Sequence, residues 1–397
     1  MVTPLPATYH QLTSVQSLGK VLADLPGIAA LAALLRPGYQ TIAPVPAAAR
    51  PALITALACH RTTPTLYVTL SAESALRATD DLRQWLGSDQ VWLFPPADAL
   101  PYEQMSPGRD VLARRLAVLR GLQTGSFSGV IVTSVKALMQ PTLPPSDLAN
   151  ATIRLQRGMQ VSIEQTVATL LDNGYQRVAM VEEPGELSRR GAILDVWPPG
   201  DELPLRIEWF DDEIDSLRRF DPATQRSEQR LERADIGPPH EIPFWRRDEA
   251  LHRIDALDLS QLRREVRDEW AVAREQLAAG QRFEGRAFYA PFFYNQTATL
   301  LDYLPPQSMV ALAEGHLLAQ HADEIDVQAT DYRTQLLTLG ELPADFPRPY
   351  VCWNELKLSD SSTLVVVDLS HNEYPNALTP VIVWCSAVIR WAVAPPD

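Results

Sequence analysis

A chain of 397 residues is too long for one ordinary hydrophobic core and points to two or three domains. Apolar residues make up 46%, enough to pack real cores, which excludes broad disorder. A formal net charge of −14 opposes non-specific binding to nucleic acid, where neutralising phosphates supplies most of the affinity, but leaves room for a local basic patch.

Positive charge is almost entirely arginine. Lys20, Lys136 and Lys357 are the three lysines, a bias that a GC-rich genome produces without functional cause. Cys59, Cys352 and Cys385 are odd in number and far apart, so neither a metal spacing nor a disulfide framework is implied, which fits a reducing cytoplasm. The opening MVTPLPATYHQL has no apolar stretch behind basic residues and does not read as a signal peptide. The longest apolar run, residues 381–394, is interrupted by Arg390 and too short to span a bilayer comfortably; it reads as a buried strand pair or helix.

Residues 25–140 alternate helix and strand signals. Helices are expected over 28–35, 47–58, 72–86 and 111–122, the last amphipathic with Arg114, Arg115 and Arg120. Strands are expected over 66–70, 91–94 and 130–133. This alternation implies a parallel sheet covered on both faces. From about 150 the pattern changes to an α+β module. Ser162 with Gln165 matches a capping box, and Asn173-Gly174 closes the helix they open. Short strands follow to about Phe220, and Pro238-Pro239 with Pro243 marks a boundary. Residues 246–283 are charged and helix-prone, 288–304 are aromatic-rich, and 309–313 (MVALA) and 364–367 (LVVV) read as strands.

Within 182–221 arginines, carboxylates and large aromatics crowd together. Leu205, Ile207 and Trp209 alternate with Arg206, Glu208 and Phe210, the period-two pattern of a strand with two distinct faces. Arg189 and Arg190 precede Gly191, where a strand can begin close to another backbone. Two readings stand side by side: solvated arginines on a hairpin, or a cluster that docks an acidic partner, with Trp197 or Phe210 as apolar support. A second arginine-bearing patch, Pro101 to Arg109 with Arg114 and Arg115, reads better as a loop capping the following helix.

Catalytic signatures are lacking. The phosphate-loop pattern G-x-x-x-x-G-K-[ST] is absent. Residues 42–51 (IAPVPAAARP), where a first-strand loop would fall, hold no glycine, lysine or capping hydroxyl, and the prolines stiffen the backbone. Autonomous ATP hydrolysis is therefore not expected. Two Asp-Glu-Ile-Asp runs, 212–215 and 323–326, imitate a helicase magnesium motif but read as a charged turn and a charged helix start. The seven histidines form no ligand pair on one helix face, and no catalytic residue or metal site is assigned.

The stretches 190–198 (RGAILDVWP) and 206–218 (RIEWFDDEIDSLR) resemble the bacterial transcription-repair coupling factor family, Mfd. Asp98 to Glu103 with Ser106-Pro107, and Ala290 to Phe293 with Leu300 to Pro305, are similar to other segments of that family in the same order. The region is also similar to the excision-repair protein UvrB. The resemblance implies an α/β fold: a UvrB-like, degenerate phosphate-loop, helicase-type parallel-sheet domain with an inserted smaller α+β domain. The implied layout is 25–148 for the first part of that domain, 149–236 for a UvrA-interaction domain, 237–352 for the returning part, and 353–397 as a tail that reads as truncated or frameshifted.

The implied function is recruitment of UvrA without catalysis, linking stalled RNA polymerase to nucleotide excision repair in the cytoplasm. By resemblance, Arg190, Arg206, Glu208 and Phe210 match the UvrA-binding surface, with Arg189 less securely placed. RNA polymerase and double-stranded DNA would be reached through C-terminal domains that this sequence does not show. ATP and magnesium belong to the family's translocase part, and no membrane partner is implied. Two alternatives remain: a UvrB-like ATP-dependent enzyme acting on damaged DNA, which the missing Gly-Lys-Ser/Thr opposes, and a plain DNA-binding module, which the acidic balance opposes.

Overall fold

The computed structural model describes residues 14–97, 101–105, 108–281, 283–358 and 361–367. The apolar run at 381–394 lies outside the described residues, as do residues 98–100 and 106–107 of the motif that begins at Asp98.

The chain opens with α1 (Val15–Ala23), α2 (Pro26–Leu34), β1 (Gln40–Pro44), α3 (Arg50–Ala58), β2 (Thr65–Thr69), α4 (Ala72–Leu86), β3 (Val91–Phe94), α5 (Arg109–Thr124), β4 (Val130–Ser134), α6 (Val135–Met139) and α7 (Pro145–Ala151). A run of short strands follows, with one helix near its start: β5 (Ile153–Gln156), α8 (Ile163–Asp172), β6 (Gln176–Arg177), β7 (Glu186–Arg190), β8 (Ile193–Val196), β9 (Leu205–Phe210), β10 (Glu213–Phe220), β11 (Ser227–Leu231) and β12 (Arg233–Ile236). The last part comprises α9 (Arg247–Asp255), α10 (Arg264–Ala278), α11 (Ala290–Phe293), β13 (Met309–Ala313), α12 (Gly315–Thr338) and β14 (Ser362–Val367).

The fold is mixed α/β around a six-stranded parallel sheet, ordered β1-β14-β13-β2-β4-β3. Every residue of β2, β4, β13 and β14 is buried, as expected for strands covered on both faces. Tyr67, Val130, Val132, Ala311, Leu364 and Val366 pack in one core with α1 to α4. Leu66, Val68, Ile131, Val310, Leu312 and Val365 point the other way, into a core shared with α5, α6 and α12. The period-two alternation of strands thus feeds two cores at once.

Three details differ from expectation. Ser362–Val367, expected in the tail, is buried between β1 and β13, with Thr363 opposite Gln40 on one side and Val310 on the other. A short apolar run carries no mark of which strands it will join. The expected helix over 47–58 starts as a 3-10 turn, Ala47–Ala49, and becomes α-helical from Arg50, with Pro51 in the first turn where its missing N–H costs nothing. The second Asp-Glu-Ile-Asp run lies inside α12 and not at a helix start.

Between the two halves of the sheet sits the smaller module. β5 and β12 pair antiparallel with Ile153 opposite Ile236, so the chain enters and leaves side by side. Its own sheet is ordered β11-β10-β9-β8-β7-β6, antiparallel except for β6 with β7. α8 buries Ile163, Val167 and Leu170 against Leu194, Val196, Ile207, Trp209 and Leu217 of that sheet. Ser162 starts the helix by accepting the Gln165 N–H at 3.4 Å.

Helix α5 supports both parts. Gly200 rests on it so closely that an added Cβ would lie 2.9 Å from the Ala117 Cβ. Arg120 pairs with Asp201, which also accepts from Arg219 at 3.0 Å. Arg115, weighed as part of a second arginine-bearing patch, is buried. It gives Nε and Nη2 to the two oxygens of Glu241 at 2.5 and 2.9 Å, donates Nη1 to the Pro95 carbonyl at 2.9 Å, and lies 4.2 Å from the Phe94 ring centroid. Thr142 also donates to Glu241. Glu241→Gln should cost about 3–5 kcal/mol in urea unfolding, because it leaves the buried guanidinium uncompensated. Replacing both partners, as Arg115→Met with Glu241→Leu, should recover much of that loss.

Candidate functional site

The arginines and carboxylates of the module converge because of strand register. Asp195 on β8 lies opposite Arg206 on β9, and Ile193 opposite Glu208. Across the other edge of β9, Arg206 faces Arg218 and Glu208 faces Ser216. Opposed residues in an antiparallel pair project to the same face. Leu194, Ile207 and Leu217, the intervening residues, go into the core beneath α8. Arg206, Glu208 and Phe210 therefore go to the opposite face, and burial along β9 alternates accordingly. Arg190, opposite Ile193, joins them from β7.

Asp195 organises this face. It is 1% exposed. Its Oδ1 accepts from Arg206 Nε at 2.7 Å, and its Oδ2 accepts from Arg206 Nη2 at 2.9 Å and from Arg190 Nη2 at 2.8 Å. Hydrogen bonding to Asp195 holds the Arg206 guanidinium above its ordinary pKa. Arg206 also donates to the Gln225 side-chain oxygen at 2.9 Å and to the Gln225 carbonyl at 3.3 Å, and it lies 4.3 Å from the Phe220 ring centroid. Its side chain is 15% exposed, against 53% for Arg190. Glu208 pairs with Arg218 and accepts the Ser216 hydroxyl at 2.9 Å.

Phe210 ends β9 before the turn at Asp211, which takes a left-handed φ of 52° that aspartate tolerates. Its residue surface is 76% exposed, with no core to receive it. At the other hairpin, Gly191 adopts φ +62°. An added Cβ there would meet nothing within 4 Å, so the glycine serves turn geometry and not, as expected, close approach to another backbone.

The carboxyl ends of the parallel strands are where open α/β sheets usually take ligands. Here Arg50, at the start of α3, forms an ion pair with Glu314, which follows β13, and both side chains are 11% exposed. Glu314 is held in a left-handed conformation while its N–H reaches the Val366 carbonyl at 2.7 Å. A cleft of about 1010 Å³ lies where the returning chain meets the first part, lined by Tyr102, Arg115, Glu241, Arg286 and Tyr294 among others. Arg286 lies over the Phe244 ring, and Lys357 pairs with Asp302. Among the described residues, no group of three or more His, Cys, Asp or Glu is placed to hold a metal ion.

The stretch from β5 to just beyond β12, residues 153–241, matches the UvrB interaction domain family. The inserted module is thus similar to UvrB interaction domains. Beyond that module, the chain is similar to transcription-repair-coupling factors, as its sequence motifs suggest. It is 34% identical over 245 residues to that of Haemophilus influenzae, a match covering 62% of this chain and 21% of the relative. It is 31% identical over 317 residues to that of Bacillus subtilis, covering 77% and 27%. It is 39% identical over 198 residues to that of Mycobacterium tuberculosis, covering 48% and 16%. The chain thus spans 27% or less of the length of these relatives.

The four sequence-derived residues, Arg190, Arg206, Glu208 and Phe210, lie on one face of the inserted module. Arg189 does not: it opposes Leu194, on the other face, and pairs with Glu164 at 2.5 Å. Trp209 is core, its indole N–H bonded to the Val161 carbonyl at 2.9 Å, and Trp197 bonds the Asp201 carbonyl at 2.9 Å. Asp195 is the residue that sequence reasoning missed. The available signal was a carboxylate inside an apolar strand, Ile193-Leu194-Asp195-Val196, because a buried charge needs a partner.

Phe210→Ala should leave stability unchanged within about 0.5 kcal/mol, since the side chain supports nothing. Asp195→Ala should destabilise by about 3 kcal/mol, because Arg206 loses its counter-charge. Urea unfolding midpoints of the two variants check both.

Proposed function

We propose that this chain recruits UvrA through the uncovered face of its UvrB interaction domain, without a catalytic step of its own. In this reading it serves a transcription-repair coupling protein in the bacterial cytoplasm, linking stalled RNA polymerase to nucleotide excision repair. In the same reading, contacts with RNA polymerase and double-stranded DNA fall to further domains of such a protein. The observation that carries the proposal is the pairing of Phe210 and Arg190 on one face: an exposed aromatic ring and a half-exposed guanidinium, both borne by strands. Aromatic and arginine anchors dominate the energy of protein interfaces.

The non-catalytic part of the reading rests on residues at the carboxyl edge of the parallel sheet. The loop after β1 offers no glycine or lysine to a phosphate, and Arg50 with Glu314 spans the sheet edge. A UvrB-like enzyme would need that space. We further propose that residues 25–148 and 237–352, completed by β14, form the UvrB-like domain around the module at 149–236.

Titration of purified UvrA onto the immobilised chain tests the reading. Phe210→Ala and Arg190→Ala should each weaken binding by about 2 kcal/mol, roughly thirtyfold. Wild-type binding that both substitutions leave intact would rule out this face. The purified chain should show no ATP turnover above buffer; measurable hydrolysis abolished by Arg50→Ala would reinstate the enzymatic alternative.

A further inference from the structure

We propose that Asp195 is the positioning residue of the docking face, presetting Arg190 to receive one carboxylate of the partner and holding Arg206 as an immobile support. The inference rests on the UvrA-docking reading above and assigns unequal roles within it.

The hydrogen-bond count separates the two arginines. A guanidinium has five N–H groups in a fixed fork. Arg206 directs four hydrogen bonds inward, two to Asp195 and two to Gln225, and packs over Phe220. Little of it is left for a partner. Arg190 makes one side-chain hydrogen bond among the described residues, to Asp195 Oδ2, and is the more exposed of the two. Its other N–H groups are open to a bidentate contact with a partner carboxylate. Gln225 completes the support: it takes a left-handed φ of 59° in the turn between β10 and β11 and accepts from Arg206 with both its backbone and side-chain oxygens.

Charge makes the proposal testable. Asp195 and its two arginines sum to one net positive charge, which a single carboxylate balances. Asp195→Asn raises that sum to two. If attraction between point charges governed docking, an acidic partner would bind this variant more tightly. If geometry governs, binding weakens, because Arg190 loses the acceptor that aims it.

The experiment measures UvrA affinity for the full chain with Asp195→Asn, Arg190→Ala and the double variant. Asp195→Asn should weaken binding at least tenfold, and the double variant should bind no more weakly than Arg190→Ala alone, since Asp195 acts through Arg190. Unchanged or tighter binding by Asp195→Asn, or additive losses, would overturn the proposal. Arg190→Lys provides a variant at a half-exposed position that keeps the charge but loses the fork. It too should lose at least tenfold, and wild-type affinity in it would overturn the bidentate geometry. A wild-type chain that fails to bind UvrA would instead overturn the functional reading beneath.

Discussion

Arg115 and Glu241 form the contact on which the architecture turns. One stands on α5, before the inserted module; the other belongs to the chain just after it. Their bidentate pair is buried, and Pro95, Thr142 and the Phe94 ring supply the contacts that make such burial tolerable. Through it the chain leaving the module returns to the helix beneath, on its way to β13 and β14 in the parallel sheet. The same helix bears Arg120 against Asp201 and accepts Gly200 on its alanines. The module is therefore attached by α5 on one side and by the β5–β12 ribbon at its base.

That attachment frees the opposite side of the module's sheet. The module's six-stranded sheet needs one face covered, and α8 covers it. The other face can carry charge, provided each carboxylate and guanidinium below solvent level is satisfied. Asp195 meets the requirement by accepting three hydrogen bonds from two arginines. Recognition and stability compete at such a place. Each inward hydrogen bond that steadies the face removes a donor from the partner, and Arg206 and Arg190 divide those tasks.

Much of this was legible in the sequence. Period-two alternation at 205–210 announced a two-faced strand, and the structure turns Arg206, Glu208 and Phe210 outward as that pattern implies. The buried runs at 130–133 and 309–313 declared themselves as strands by composition. Pairings were not legible. Nothing in LVVV says that it will lie between β1 and β13, and nothing in the arginines of α5 says that Arg115 is buried while Arg109 is exposed. Partners distant in sequence decide both. The same holds for Arg206: its spacing gave the correct face, but its internal engagement depends on Asp195 and Gln225, which local pattern does not link to it.

The position of β14 has a consequence for how the molecule is assembled. Among the described residues, β1 pairs in its sheet with β14 alone, Gln40 with Thr363, so it has no partner there until β14, far along the chain, has been made. Contacts this far apart in sequence close slowly, and an unpaired strand edge invites association with other chains. The inserted module has no such delay. Its hairpins join neighbours in sequence, and its α8 core is complete by β12. On a ribosome, the face bearing Arg190 and Phe210 would take shape while the larger sheet that carries it still lacked its closing strand.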